Sequence, residues 1–149
     1  MANSEVEFRE NSMTVEEYLM LRQRVGWREL SQEQAQKALD NSLYVLSAWL
    51  DGELVGMSRL VGDGAVICYI QDLIVVPGLQ RGGIGTKLVQ RLIEVTKSMG
   101  FPGTRMMLDL MCAKGREEFY IKNGFIARPT SGLGPGMIQY LDIEEEAEQ

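Results

Sequence analysis

The sequence predicts a mixed α+β fold, a mostly antiparallel sheet flanked by helices. Asp51-Gly52 sits between two apolar runs, residues 43–50 and 53–61, and an Asp-Gly pair in that setting marks a β-hairpin. The run AVICYIQDLIVV, residues 65–76, is long, β-branched and almost wholly apolar, as a strand covered on both faces must be. Directly behind it, VVPGLQRGGIGTKLVQRLIEV passes from strand to amphipathic helix through three glycines in four residues.

The remaining elements follow in order. Residues 6–9 read as a short first strand. Thr14 is placed to cap a helix whose apolar face holds Val15, Tyr18 and Leu19, with Leu21 and Val25 at its margin. The segment Gly26-Trp27-Arg28-Glu29-Leu30 breaks that pattern. Ser31 then caps a second helix, with Gln34 completing a capping box. The hairpin strands come next, and Gly62-Asp63-Gly64 turns the chain into the central strand. After Gly83, Ile84, Leu88, Leu92, Val95 and Met99 form one apolar stripe that ends at Gly100, a fitting residue to close a helix. Residues 105–111 read as a strand, 114–123 as a short helix closed by Gly124, and 136–143 as a last strand. The order β-α-α-β-β-β-α-β-α-β places antiparallel hairpins first and a strand–helix–strand crossover later. Residues 1–149 are expected to form one domain, with 143–149 as a flexible acidic tail.

Composition removes many functions. The chain has no histidine, which excludes Ser-His-Asp and Cys-His nucleophilic machinery and any His-ligated metal site. No metal is expected. Proton transfers must then use Asp, Glu, Tyr, Cys, Lys, substrate or water. The net charge of −6 argues against a nucleic-acid partner. Residues 1–10 carry neither the basic region nor the apolar core of a secretory signal, and no apolar segment approaches the roughly 20 residues of a membrane span. The two cysteines, Cys68 and Cys112, lack metal spacing and read as reduced, buried thiols. A cytoplasmic protein without membrane attachment is the expectation.

The glycine turn carries the chemistry. Glycines at a strand-to-helix junction let backbone N–H groups converge without Cβ obstruction. The first helical turn leaves those groups without intrahelical partners, and the helix dipole adds positive potential, so phosphate is the natural guest. A Walker A loop is excluded because Ile84-Gly85 stand where Lys-Ser/Thr belong after Gly78 and Gly83. A dinucleotide fingerprint is excluded because Leu88 stands where its third glycine belongs. A tight turn with no ligand is the plain alternative.

The pattern that remains is Gln80-Arg81-Gly82-Gly83-Ile84-Gly85, or Q-x-x-G-x-G, after Val75-Val76-Pro77. Downstream lies Glu117-Glu118-Phe119-Tyr120-Ile121-Lys122-Asn123-Gly124-Phe125. Together, in this order and behind the hairpins, they resemble the acyl-coenzyme A motif and the F/L-Y-x-x-x-G-F segment of the GNAT superfamily of N-acetyltransferases, including bacterial-type members of uncharacterised activity. The resemblance covers residues 43–141. Residues 1–42 share only two short helices with it.

The resemblance implies a GNAT-like sheet with a splayed central strand pair and direct acetyl transfer from acetyl-CoA to a primary amine through a ternary complex. The backbone of Leu73, Ile74 and Val75 would pair with the pantetheine arm. The amides of Arg81, Gly82, Gly83, Ile84, Gly85 and Thr86 would wrap the pyrophosphate, with Arg81, Lys87 and Arg91 supplying local positive charge. Tyr120 holds the position of the acid that protonates the departing thiolate, and a tyrosine with an ordinary pKa near 10 is protonated at neutral pH. A packed aromatic is its alternative role. Asp72 and Asp109 are the carboxylates on the central and neighbouring strands; Asp72 is the first choice for general base, beside an ordered-water relay. Trp27 and Arg28 would form part of the acceptor-side wall. The glycine-rich loop at residues 128–137 would close over the acceptor or join two strands. The acceptor expected is a small-molecule amine, and the protein a possible homodimer. A non-catalytic acyl-CoA-binding module that reports to a partner protein is the alternative, and it has no use for an acid at Tyr120.

Overall fold

A computed structural model describes residues 5–146. Residues 1–4 and 147–149, which include the start of the segment tested for a signal and the end of the expected acidic tail, lie outside the described residues. The chain forms two compact units, Met1–Leu110 and Met111–Gln149.

The first unit holds β1 (Glu7–Glu10), α1 (Val15–Arg24), α2 (Gln32–Asp40), β2 (Tyr44–Leu50), β3 (Glu53–Gly62), β4 (Ile67–Val75), α3 (Ile84–Met99) and β5 (Met107–Asp109). Its five strands form one sheet in the order β1-β2-β3-β4-β5. All neighbours are antiparallel except β4 and β5, which run parallel across the α3 crossover. The fold is the expected mixed α+β sheet.

Local chemistry accounts for the elements. Thr14 and Ser31 each complete a capping box, with Glu17 and Gln34 reaching back to the cap N–H. Asp51 and Gly52 both take positive φ, the conformation that lets a two-residue turn follow the twist of β2 and β3. On α1 the buried residues are Val15, Tyr18 and Leu21, so Leu21 rather than Leu19 faces the core. On α3, Ile84, Leu88, Val89, Leu92 and Thr96 are buried, close to the expected stripe. Gly100 ends the helix in extended rather than left-handed conformation.

The two helical layers lie on opposite faces of the sheet. Arg59 of β3 meets Tyr18 of α1, whereas a Cβ at Gly56, three residues back on the same strand, would touch Leu88 of α3. Cys68 of β4 contacts Met99 of α3, and its parallel partner Leu108 lines a cleft with Ile93, Thr96 and Lys97. Side chains next to these on β4 and β5 therefore point to the α1 face.

The turn into β4 is tied by Asp63, whose Oδ1 accepts from the N–H groups of Ala65, Val66 and Ile67 at 2.8, 2.8 and 3.0 Å. These bonds, led by that of Ile67, lower its pKa from the usual 3.8. A depressed carboxyl pKa stabilises the fold above the unfolded value and ceases to do so as pH falls through the folded one. Asp63→Asn will therefore melt below wild type at neutral pH, and the gap will close as pH falls below 3.8, the ordinary value. Thermal unfolding across acid pH checks this; a pH-independent gap would contradict it.

The second unit contains α4 (Glu117–Lys122) as its one regular element among the described residues. The expected last strand, residues 136–143, does not form. Strand backbone needs a paired edge, and the described residues of this unit contain no other strand to supply one. Its apolar side chains are accordingly exposed, Met137 at 90% and Ile143 at 87%. The loop before it cannot join two strands; Thr130 organises it instead, accepting from the N–H groups of Gly132 and Leu133 at 3.2 and 3.0 Å. Cys68 is buried as expected, but Cys112 is exposed.

Candidate functional site

The central strand loses its neighbour halfway along. β4 pairs with β5 only at Ile67↔Met107, Cys68↔Leu108 and Tyr69↔Asp109. From Ile70 to Val75 that edge has no strand partner among the described residues, which is the expected splay. A bulge accompanies it. Arg59 pairs with Gln71 and Met57 with Ile74, so β4 carries an extra residue there, and Asp72 sits at φ 61. Left-handed backbone at a non-glycine residue costs about 1–2 kcal/mol and persists only where neighbours enforce it.

The enforcing group is a buried charge cluster. Asp72 is 5% exposed, and its carboxylate accepts from Arg59 Nε at 2.8 Å, from Arg22 Nη1 at 3.0 Å and from the Tyr18 hydroxyl. Burial first, then the Asp72 charge, pushes the Tyr18 pKa up, so its hydroxyl stays a donor. Arg22 also donates from Nη2 to the Arg28 carbonyl at 3.0 Å and lies 5.4 Å from the Trp27 ring centre. Trp27, 39% exposed, and the backbone of Arg28 are thereby fixed to the bulge of β4 through a single guanidinium. Breaking one member would leave a buried charge uncompensated, a loss of the order of 3–5 kcal/mol.

Beyond Val75 the chain makes a short loop into α3. Val76 N–H donates to Val55 at 2.9 Å, Leu79 to Val76 at 3.2 Å and Gly82 to Leu79 at 3.3 Å. Gln80 hooks back, its Nε2 donating to the Val75 carbonyl at 3.1 Å. The N-cap of α3 is Gly83 at φ 84, with no side-chain cap. The N–H groups of Arg81, Gly83, Ile84, Gly85 and Thr86 have no hydrogen-bond acceptor among the described residues. Gly82 differs from these, since its amide serves the turn itself. A Cβ at Gly83 would meet nothing within 4 Å, so the space in front of these amides is open. An anion with several oxygens fits it: convergent donors, a helix N-terminus and no obstructing side chain. Arg81 and Lys87 are exposed beside it, while Arg91 is turned to Glu10 in an ion pair of 3.1 Å.

In the second unit Tyr120 stands edge-on to Phe119 at 5.0 Å and to Phe125 at 5.8 Å between ring centres. Burial first, and the nearby Cys112 second, push its pKa up to about 12. Its hydroxyl has no hydrogen-bond partner among the described residues. Cys112, although exposed, has its thiol pKa raised, by partial desolvation and then by Glu117, so little of it is the thiolate a nucleophile requires.

The model of the acetyltransferase (GNAT) family matches residues 11–125. The chain belongs to that family. A GNAT family acetyltransferase from Streptococcus pneumoniae superposes with a TM-score of 0.78 at 31% identity, covering 92% of this chain and 98% of that one. A protein of unknown function from meticillin-resistant Staphylococcus aureus also gives 0.78, at 27% identity over 91% of this chain and 100% of the other. An uncharacterized N-acetyltransferase ycf52-like protein of Prochlorococcus marinus is 29% identical over 113 residues, 73% of this chain. The chain spans 61% of that curated relative's length.

GNAT acetyltransferases use acetyl-CoA as co-substrate, and the splayed edge of β4 followed by an open glycine N-terminus suits its elongated arm and pyrophosphate. Among the described residues no group of three Asp, Glu or Cys could hold a metal ion, and no helix is long and apolar enough to cross a membrane. Leu73, Ile74 and Val75 lie on the unpaired edge, and Arg81 to Thr86 surround the turn. On sequence grounds Tyr18 had only a place on the apolar face of α1 and Gln80 only a place in the glycine motif, and Arg22 and Arg59 were not named. Tyr18 and Arg22 stand four apart on one face of α1, and Arg59 is a charge inside the apolar strand ELVGMSRLVG. That was the available signal, because a charge in a core strand requires a partner.

Proposed function

We propose that this protein is an N-acetyltransferase that moves an acetyl group from acetyl-CoA directly to a primary amine of a small molecule. The observation that carries the reading is the uncapped, glycine-built N-terminus of α3, placed directly after an unpaired stretch of β4 in a chain of this family. The amides of Arg81, Gly83, Ile84, Gly85 and Thr86 would hold the pyrophosphate, Gly82 would shape the turn, and the edge at Leu73, Ile74 and Val75 would take the extended arm as an added strand. When bound, acetyl-CoA supplies an activated acyl group on a good thiolate leaving group.

Tyr120 is the acid of this reading. Its raised pKa keeps the proton on the hydroxyl at neutral pH, and the departing thiolate, with an ordinary pKa near 8.5, gains a donor. Asp72 acts here as an anchor rather than a base. Its two carboxylate oxygens serve two guanidiniums and a tyrosine, and their work is to hold the bulge that opens the β4 edge. Trp27 and Arg28 form one wall of the acceptor side, set by Arg22. The net acidic charge favours a cationic amine over an anionic acceptor. We extend the reading to a homodimer, on the exposed apolar residues of the 136–143 segment, a surface of the kind partners cover, and to a cytoplasmic setting.

Thiol release from acetyl-CoA, followed across a panel of primary amines, tests the activity. Amine-dependent release with stoichiometric amide is the result expected. CoA binding without release on any amine would favour an acyl-CoA-binding module instead.

A further inference from the structure

We propose that Arg22 couples the two ligand sites: coenzyme A on the edge of β4 steadies the Trp27-Arg28 turn through Arg22, and an amine held at that turn tightens coenzyme A in return. The assignment rests on the acetyltransferase reading above and gives Arg22 a positioning role within it.

Three observations carry it. First, Arg22 grips both sites at once. Its Nη1 donates to Asp72 Oδ1 at 3.0 Å, and Asp72 directly precedes Leu73, the first residue offered to the arm. Its Nη2 donates to the Arg28 carbonyl at 3.0 Å, and its own carbonyl accepts from the Trp27 N–H at 3.0 Å. Second, both ends of this link are held in shapes that need support. Asp72 is left-handed at φ 61, a conformation that relaxes when its partners let go. Residues 26–29 are exposed, and Gly26 turns at φ 72 with nothing within 4 Å of a Cβ built there. The order of that turn therefore depends on the bonds that reach it from α1. Third, Arg22 Nε is shut off from solvent and has no hydrogen-bond acceptor among the described residues. A buried donor left unpaired is costly, which brings a second placement of the guanidinium close in energy.

That pair of placements is the element both ligands bias. An arm bonded to Leu73, Ile74 and Val75 as an added strand fixes the backbone behind Asp72, and with it the bulge and its carboxylate. Asp72 then holds the guanidinium where it ties Trp27 and Arg28. An amine resting on the turn biases the same guanidinium from its other end, and linkage makes the two effects equal in free energy. Arg59 and the Tyr18 hydroxyl serve the other carboxylate oxygen, Oδ2, so the bulge keeps partners when Arg22 is altered. Arg22→Lys retains the charge but loses the planar fork that spans Asp72 and Arg28.

Trp27 and Trp49 are the two tryptophans of the chain, so Trp49→Phe leaves Trp27 as the reporter of its own turn. Saturating this variant with CoA shifts the Trp27 fluorescence and lowers its quenching by acrylamide. Adding Arg22→Lys abolishes that response while calorimetry still finds CoA bound. Putrescine, glucosamine and a lysyl peptide close the cycle, using whichever the wild type acetylates fastest. CoA raises the affinity for that amine about fivefold or more in wild type, and by less than about twofold in Arg22→Lys. If Arg22→Lys fails to fold or to bind CoA, Trp27→Ala reads the link from its exposed end. There the lost ring contact with Arg22 weakens CoA about threefold, and an unchanged affinity overturns the proposal. A Trp27 signal indifferent to bound CoA, or a response equal with and without Arg22, overturns the coupling while leaving acetyl transfer intact. Wild type that binds no CoA overturns the acetyltransferase reading and the coupling with it.

Discussion

Tyr120→Phe lowers kcat at least tenfold and leaves CoA affinity unchanged, a loss of about 1.4 kcal/mol or more of transition-state stabilisation. The substitution removes one oxygen and keeps the ring. Because that ring packs edge-on against Phe119 and Phe125, and the hydroxyl makes no bond to the described residues, stability should hardly move. The sign of the pH effect follows as well. The acid form is required and is lost as pH rises through the pKa, which burial has pushed up to about 12. Tyr120 therefore contributes no falling limb to the rate profile across the neutral and mildly alkaline range. Steady-state kinetics of the variant decide the matter. An unchanged kcat would remove Tyr120 from the chemistry.

Gly83→Val abolishes detectable CoA binding while the protein stays folded. At φ 84 a β-branched residue is strained by about 1–3 kcal/mol, less than the 5–15 kcal/mol that holds a typical domain together. A Cβ there meets nothing in the protein within 4 Å, so the added branch has open space beside the free amides to occupy. Gly82→Val separates obstruction from strain. Gly82 lacks positive φ, and its added Cβ would touch only the Leu79 carbonyl at 3.5 Å. Both variants should lose affinity in calorimetry, with melting curves retained. Undiminished affinity in Gly83→Val would mean that the turn is only a turn.

Much of this architecture is written in local pattern. The Asp51-Gly52 hairpin, both capping boxes and the α3 stripe follow from chemistry within a few residues, and each stands where the pattern puts it. The glycine turn is of the same kind, since positive φ and a missing Cβ are properties of the residue itself. What escaped is non-local. The bulge at Asp72 depends on Arg22, 50 residues earlier, and on Arg59, 13 residues earlier. No periodicity announces that three distant polar side chains share one carboxylate. The same limit explains the segment at 136–143, where β-prone residues were read as a strand. Propensity describes a willingness to pair, and the described residues of the second unit offer no strand to pair with.

The central claim is that the open turn at Gly83, behind the unpaired edge of β4, is a seat for coenzyme A. Calorimetric titration of the wild-type protein with acetyl-CoA, CoA and ATP tests it most directly. The account predicts saturable binding of acetyl-CoA and CoA with one site per chain, and far weaker binding of ATP, which offers phosphates but no arm to pair with Leu73, Ile74 and Val75. Absence of CoA binding, or ATP bound as tightly as CoA, would contradict it.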